Sequence, residues 1–108
     1  MERNMEIKTH GHHIEVTDSL RLKAEDGARK LAEHLQRAVN ADIWFGEDGV
    51  MKTVEIVLHA PRYKNLVATA QAKYHEPALS DAVAKLDAQI RRLKSAKKKQ
   101  VHGVELRA

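Results

Sequence analysis

Residues 41–60 read Ala41-Asp42-Ile43-Trp44-Phe45-Gly46-Glu47-Asp48-Gly49-Val50-Met51-Lys52-Thr53-Val54-Glu55-Ile56-Val57-Leu58-His59-Ala60. Two apolar runs rich in β-branched and aromatic residues flank a segment carrying two glycines and two acids, the pattern of a β-hairpin. The spacing predicts one strand over Ala41 to Phe45, a turn at Gly46-Glu47-Asp48-Gly49 and a second strand over Thr53 to Ala60. In the second strand Val54, Ile56, Leu58 and Ala60 point one way, and Thr53, Glu55, Val57 and His59 the other. By the same alternation Ile43 and Phe45 face a core while Trp44 faces out.

Downstream, Pro61 ends the strand and Arg62 to Asn65 read as a loop. Leu66, Ala68, Ala70 and Ala72 then mark a further strand. Pro77 suits a first helical turn, where a missing amide costs nothing, so a last helix is expected from about Glu76. Its stripe is Leu79, Val83, Leu86, Ile90 and Leu93, spaced by four, three, four and three. Upstream, Met5, Ile7 and Thr9 alternate with Glu6, Lys8 and His10 in a short first strand that turns at Gly11. Thr17 and Asp18 then offer a capping hydroxyl and a favourable charge to a helix. Leu20, Ala24, Ala28, Leu31 and Leu35 carry that helix to about Ala38, with Gly27 a weak point of about 1 kcal/mol against alanine.

The order is therefore β-α-β-β-β-α. The economical packing is an α+β, two-layer fold: a four-stranded sheet with both helices on one face and the other face open. A chain of 108 residues supports one such core. The expected division is a single domain over 1–99 and a flexible C-terminal tail over 100–108, where periodicity is lost.

Composition excludes several functions. There is no cysteine, hence no disulfide, thiol nucleophile or cysteine-based zinc site. No apolar run approaches the roughly 20 residues of a membrane span, and Met1-Glu2-Arg3-Asn4 carries no hydrophobic signal segment. A cytoplasmic protein is expected. Nothing resembles a nucleotide loop or a nucleophile arrangement, so no enzyme activity, cofactor or small-molecule substrate is expected.

Charge is distributed unevenly. From Lys85 to Lys99 seven basic residues face one acid, Asp87, a net of +6 in a chain whose total is +4, which leaves −2 for the rest. Lysine-rich helix ends are common because cations suit the negative end of the dipole, and that alone would account for Lys97-Lys98-Lys99. The array is longer, however: Lys85, Arg92 and Lys99 repeat every seven residues over roughly 21 Å, close to one line of the helix. A cationic rod anchored by an apolar stripe is the footprint of a protein that grips phosphate backbones.

Several stretches occur together in a recognisable order: Ile14-Glu15-Val16-Thr17 with Leu20-Arg21, Val39-Asn40-Ala41-Asp42-Ile43, Val54-Glu55-Ile56-Val57-Leu58-His59-Ala60-Pro61, and Lys85-Leu86 with Gln89-Ile90-Arg91-Arg92 and Lys94. At nearly this spacing, over about Met5 to Lys99, the chain resembles the bacterial ribosome hibernation-promoting factors, also called ribosome-associated inhibitors or ribosomal subunit interface proteins, in their short form. The resemblance implies a β-α-β-β-β-α fold that binds the small ribosomal subunit where messenger and transfer RNAs would lie, silencing ribosomes in stationary phase or stress. The pattern departs from the family at Tyr74-His75-Glu76-Pro77, at Gly27 and at Ala88, the last two being positions often basic in relatives.

The residues expected to meet ribosomal RNA are Lys85, Arg91, Arg92, Lys94, Lys97, Lys98 and Lys99 on the last helix, joined by Arg21, Arg29, Lys30 and Arg37 on the first. Arg29, Lys30 and Arg37 are interleaved with Glu25, Asp26 and Glu33, so a mixed solvated face is an equal reading of them. His10-Gly11-His12-His13 has no acidic or sulfur partner nearby in sequence, and a polar turn suits it better than a metal site. Glu55 and His59 lie about 13 Å apart along one strand, too far for joint acid/base work. Trp44 and Tyr74 could stack on bases, although no second aromatic is expected beside Trp44 on a neighbouring strand. The ribosome-binding reading therefore stands beside two others, a free-standing double-stranded RNA-binding module and a protein-interaction domain using the open sheet face around Trp44. The free protein is expected to be monomeric.

Overall fold

The computed structural model describes residues 5–35, 40–61 and 64–107, the side chains of 64 and 96–107 excepted. Six elements follow in the expected order: β1 (Glu6–Gly11), α1 (Asp18–Glu33), β2 (Asn40–Asp48), β3 (Met51–Ala60), β4 (Lys64–Ala72) and α2 (His75–Arg107). The strands form one sheet in the order β1-β2-β3-β4. β1 runs parallel to β2, and the other neighbours are antiparallel. α1 is the crossover that a parallel pair requires.

Alternation in the strands decides the layers. Ala41, Ile43, Phe45, Val54, Ile56, Leu58, Ala60, Leu66, Ala68 and Ala70 are buried on one sheet face. Against them lie Leu20, Ala24, Ala28 and Leu31 of α1 and Ala78, Leu79, Ala82, Leu86 and Ile90 of α2. No polar or charged residue is buried among the described ones. Both helices thus cover the same face and leave the other open.

Local chemistry sets the element ends. Thr17 caps α1, its hydroxyl accepting from the Leu20 amide at 3.1 Å. α1 stops at Glu33 rather than near Ala38, because the amides of His34 and Leu35 close tight turns onto Leu31 and Ala32 at 3.0 Å. Leu35 remains buried beyond the helix end. The hairpin turn is also shorter than expected. Gly46 and Glu47 stay in the ladder, paired with Thr53 and Lys52, and Lys52 donates to Glu47 at 2.7 Å across that pair. The corner is Gly49-Val50, with Gly49 at φ 66° as a two-residue turn of the II′ kind demands. β4 starts at Lys64 instead of Leu66, since Lys64 and Asn65 pair with Ala60 and His59.

α2 is one helix of 33 residues. Its backbone stays helical through residues 100–107.

Candidate nucleic-acid interface

α2 is fixed along its first half. Leu86 and Ile90 are fully buried, and half-buried Leu93 packs on the same core. The cations between these anchors project outward, each with its own commitments. Lys85 donates to the Thr69 carbonyl at 3.1 Å and stands 3.6 Å from Asp81. Arg91 pairs with Asp87 at 3.1 Å, one helical turn back. Lys94 donates to the His34 carbonyl at 2.7 Å, tying α2 to the end of α1. Arg92 is exposed and has no ion-pair partner among the described residues. Lys97, Lys98 and Lys99 lie on the helical backbone, and their side chains are outside the described residues.

The α1 cations are more fully matched. Arg21 pairs with Asp18 at 3.0 Å, Arg29 with Glu25 at 3.8 Å and Lys30 with Asp26 at 3.6 Å. Lys23 bridges to Glu76 at the start of α2, at 2.9 Å. The reading of α1 as a mixed solvated face describes these contacts, and Arg37 falls outside the described residues. Gly27 sits where the two helices meet: a Cβ there would come within 3.0 Å of Val83 Cγ2. The site that the sequence marks as a weakness in α1 is therefore a point of close helix approach. Nearby, Asp87 Oδ1 is buried with no hydrogen-bond partner among the described residues, and His34 Nε2 stands 3.6 Å away.

Lys85 has a second role that sequence reading did not find. Its bond to Thr69 and that of Gln89 Nε2 to the Val67 carbonyl, at 3.1 Å, cap alternate outward carbonyls of β4, the sheet edge. Four helical residues rise about 6 Å, and two strand residues advance about 6.6 Å, so the two ladders match. The spacing of Lys85 and Gln89 could have suggested this only with the packing of α2 on β4 already known.

On the open face, side chains from all four strands form one chain of contacts. His10 Nε2 donates to Asp42 Oδ1 at 2.9 Å, and His59 Nε2 donates to Asp42 Oδ2 at 3.2 Å. His59 Nδ1 in turn lies 2.8 Å from the Asn65 side-chain oxygen. The hydrogen bond from His10 lowers the Asp42 pKa; burial opposes this and the bond from His59 adds to it. Trp44, 42% exposed, stacks on His10 with ring centroids 4.1 Å apart and planes 20° from parallel. The imidazole that the sequence leaves in a polar turn thus supplies both the acidic contact and the flat partner for Trp44 that sequence reading did not expect. Glu55 and His59 stay apart on β3, as their spacing requires. His12 and His13 are exposed, His13 at φ 64°, and among the described residues no three histidine or acidic side chains are placed so as to hold a metal ion.

A sequence profile described as sigma 54 modulation protein / S30EA ribosomal protein matches residues 7–98. The chain belongs to this family. Two solved structures share the fold: a ribosomal subunit interface protein from Coxiella burnetii, at TM-score 0.77 and 20% identity, covering 84% of this chain and 99% of that one; and the N-terminal domain of Protein Y from Thermus thermophilus, at TM-score 0.74 and 23% identity, covering 82% and 99%. A search of the curated proteins returns no match. Family membership supports a ribosome-associated function and agrees with the resemblance in the sequence. Among the described residues no helix is long and apolar enough to cross a membrane.

Proposed function

We propose that this protein binds the small ribosomal subunit through its helical layer and holds the ribosome inactive by occupying the path of messenger and transfer RNA, without catalysis. The observation that carries this reading is the pairing of fully buried Leu86 and Ile90 with exposed Arg91 and Arg92 on one helix. Cations held in place by a packed stripe lose little freedom on meeting phosphates, which favours binding. Lys85, Lys94 and Lys97 to Lys99 extend the array, Arg21, Arg29 and Lys30 supply a flanking surface, and Arg37, outside the described residues, is a further candidate. Such a protein works in the cytoplasm, free as a monomer, when growth slows or stress sets in.

Sucrose-gradient sedimentation with ribosomes tests the proposal. Co-migration with the small subunit is expected, together with inhibition of cell-free translation that saturates near one protein per ribosome. Equal binding to any RNA duplex would instead make the protein a general double-stranded RNA module. Full inhibition at a small fraction of the ribosome concentration would point to an enzyme.

A further inference from the structure

The open sheet face holds a trough of about 660 Å³ running from Trp44 across β3 to β4. Its size is within the range that accepts a compact ligand group with its flanking chain. Trp44 and Glu55 are directly opposite each other in the β2–β3 register, and Thr69 is opposite Glu55 on β4. One face of the Trp44 indole is taken by His10. The other is left for an occupant.

The charge lining the trough selects that occupant. Two carboxylates, Glu55 and Asp81, stand against one ammonium, Lys85, whereas Glu47, of the same strand parity as buried Phe45, turns its side chain to the helix-covered face. Asp81 lies against Lys85, while exposed Glu55 has no ion-pair partner among the described residues. A phosphate-bearing strand would meet net negative charge here. A cation would not. An indole face beside an unpaired carboxylate suits a guanidinium, which is planar, stacks on aromatic rings and forms two parallel hydrogen bonds to a carboxylate. A lysine ammonium, compact and strongly hydrated, gains less from the same pair of groups.

We propose that this trough receives an arginine side chain from a basic segment of a partner protein, its guanidinium lying on Trp44 and bonding to Glu55. The sheet layer would then hold a protein while the helical layer faces RNA. The trough reaches round the β4 edge to Asp81 and Lys85, so the two surfaces share Lys85 alone; Trp44 and Glu55 belong to the one and Arg91 and Arg92 to the other, so either assignment can fail without the other.

Trp44 is the single tryptophan of the chain, which makes its emission a direct reporter of the trough. The full-length protein is titrated with a short unstructured arginine peptide and with an all-lysine peptide of equal length and charge. A saturable change is expected with the arginine peptide, and weaker binding of the lysine peptide. Glu55→Gln should weaken the arginine peptide by about three- to fivefold, as for an exposed charge pair, and narrow the difference between the peptides. Glu33→Gln, which removes an exposed carboxylate from α1, should change neither, with circular dichroism showing both variants folded. Equal response to the two peptides, or indifference to Glu55→Gln, would overturn the proposal. So would a Trp44 response to single-stranded oligouridylate and none to the arginine peptide, which would make the trough a base-stacking site.

Discussion

In the sequence Asp42 is an unremarkable acid two positions before Trp44, and in the strand it shares the outward side of that residue. What the sequence does not contain is register. His10 lies 32 positions away and His59 17, and only the parallel β1–β2 and antiparallel β2–β3 pairings bring both imidazoles onto one carboxylate. Because the hydrogen bond from His10, reinforced by that from His59, lowers the Asp42 pKa below 3.8, Asp42 adds stability that is fully present above that value. The contribution is lost as pH falls through the lowered pKa. Urea unfolding of the protein and of Asp42→Asn, followed from about pH 5 to about pH 3, is expected to show a steeper acid loss in the unmodified chain. Parallel curves would mean that the two histidines do not act on Asp42. Gly27 gives the same lesson: helix propensity marks it as a defect, and only the position of Val83 on the other helix shows its use.

At the scale of elements, periodicity placed every strand and helix, because period two and period 3.6 are written into the apolar residues themselves. The ends were less legible. Gly46 and Glu47 look like turn residues, yet cross-strand pairing with Thr53 and Lys52 keeps them in the ladder and leaves Gly49 to make the corner. The candidate site followed the same division. That α2 carries the cations was evident from composition, whereas the backbone carbonyls that hold Lys85 and Lys94 were invisible without the packing. For the end of α2, we propose that residues 100–107, helical in their backbone, are a loosely held extension of the 1–99 domain, since no apolar stripe continues past Leu93; Ala108 lies outside the described residues. Each contact made past Leu93, Lys98 and Lys99 included, carries an ordering cost on the order of 1 kcal/mol per residue. Reversing Arg91 and Arg92 to glutamate should accordingly weaken small-subunit binding more than reversing Lys98 and Lys99, although both variants change total charge equally. Equal losses in a sedimentation assay would mean that only net charge counts.

As a whole molecule, the protein is two layers of unlike charge. The two-layer arrangement was legible, because two amphipathic helices and an alternating sheet allow few packings. The acidic trough beside Trp44 was not, since it draws on β2, β3, β4 and α2 at once. If about six cations of the helical layer meet phosphates, log affinity for the small subunit against log salt should fall with a slope of roughly −4 to −5. A flat response, measured by filter binding or sedimentation across salt concentrations, would contradict an electrostatic grip.

An inhibitor that acts by occupancy, as proposed for this protein, has to be about as abundant as the machine it occupies, and abundance exposes a sheet protein to a particular hazard. An uncovered edge strand is a template on which another copy can polymerise. Lys85 and Gln89 stopper the Val67 and Thr69 carbonyls of β4, and the opposite edge, β1, is only six residues long and carries Glu6 and Lys8. The helix that carries the cations thus also covers the outward carbonyls of one sheet edge, and the other edge is short and charged.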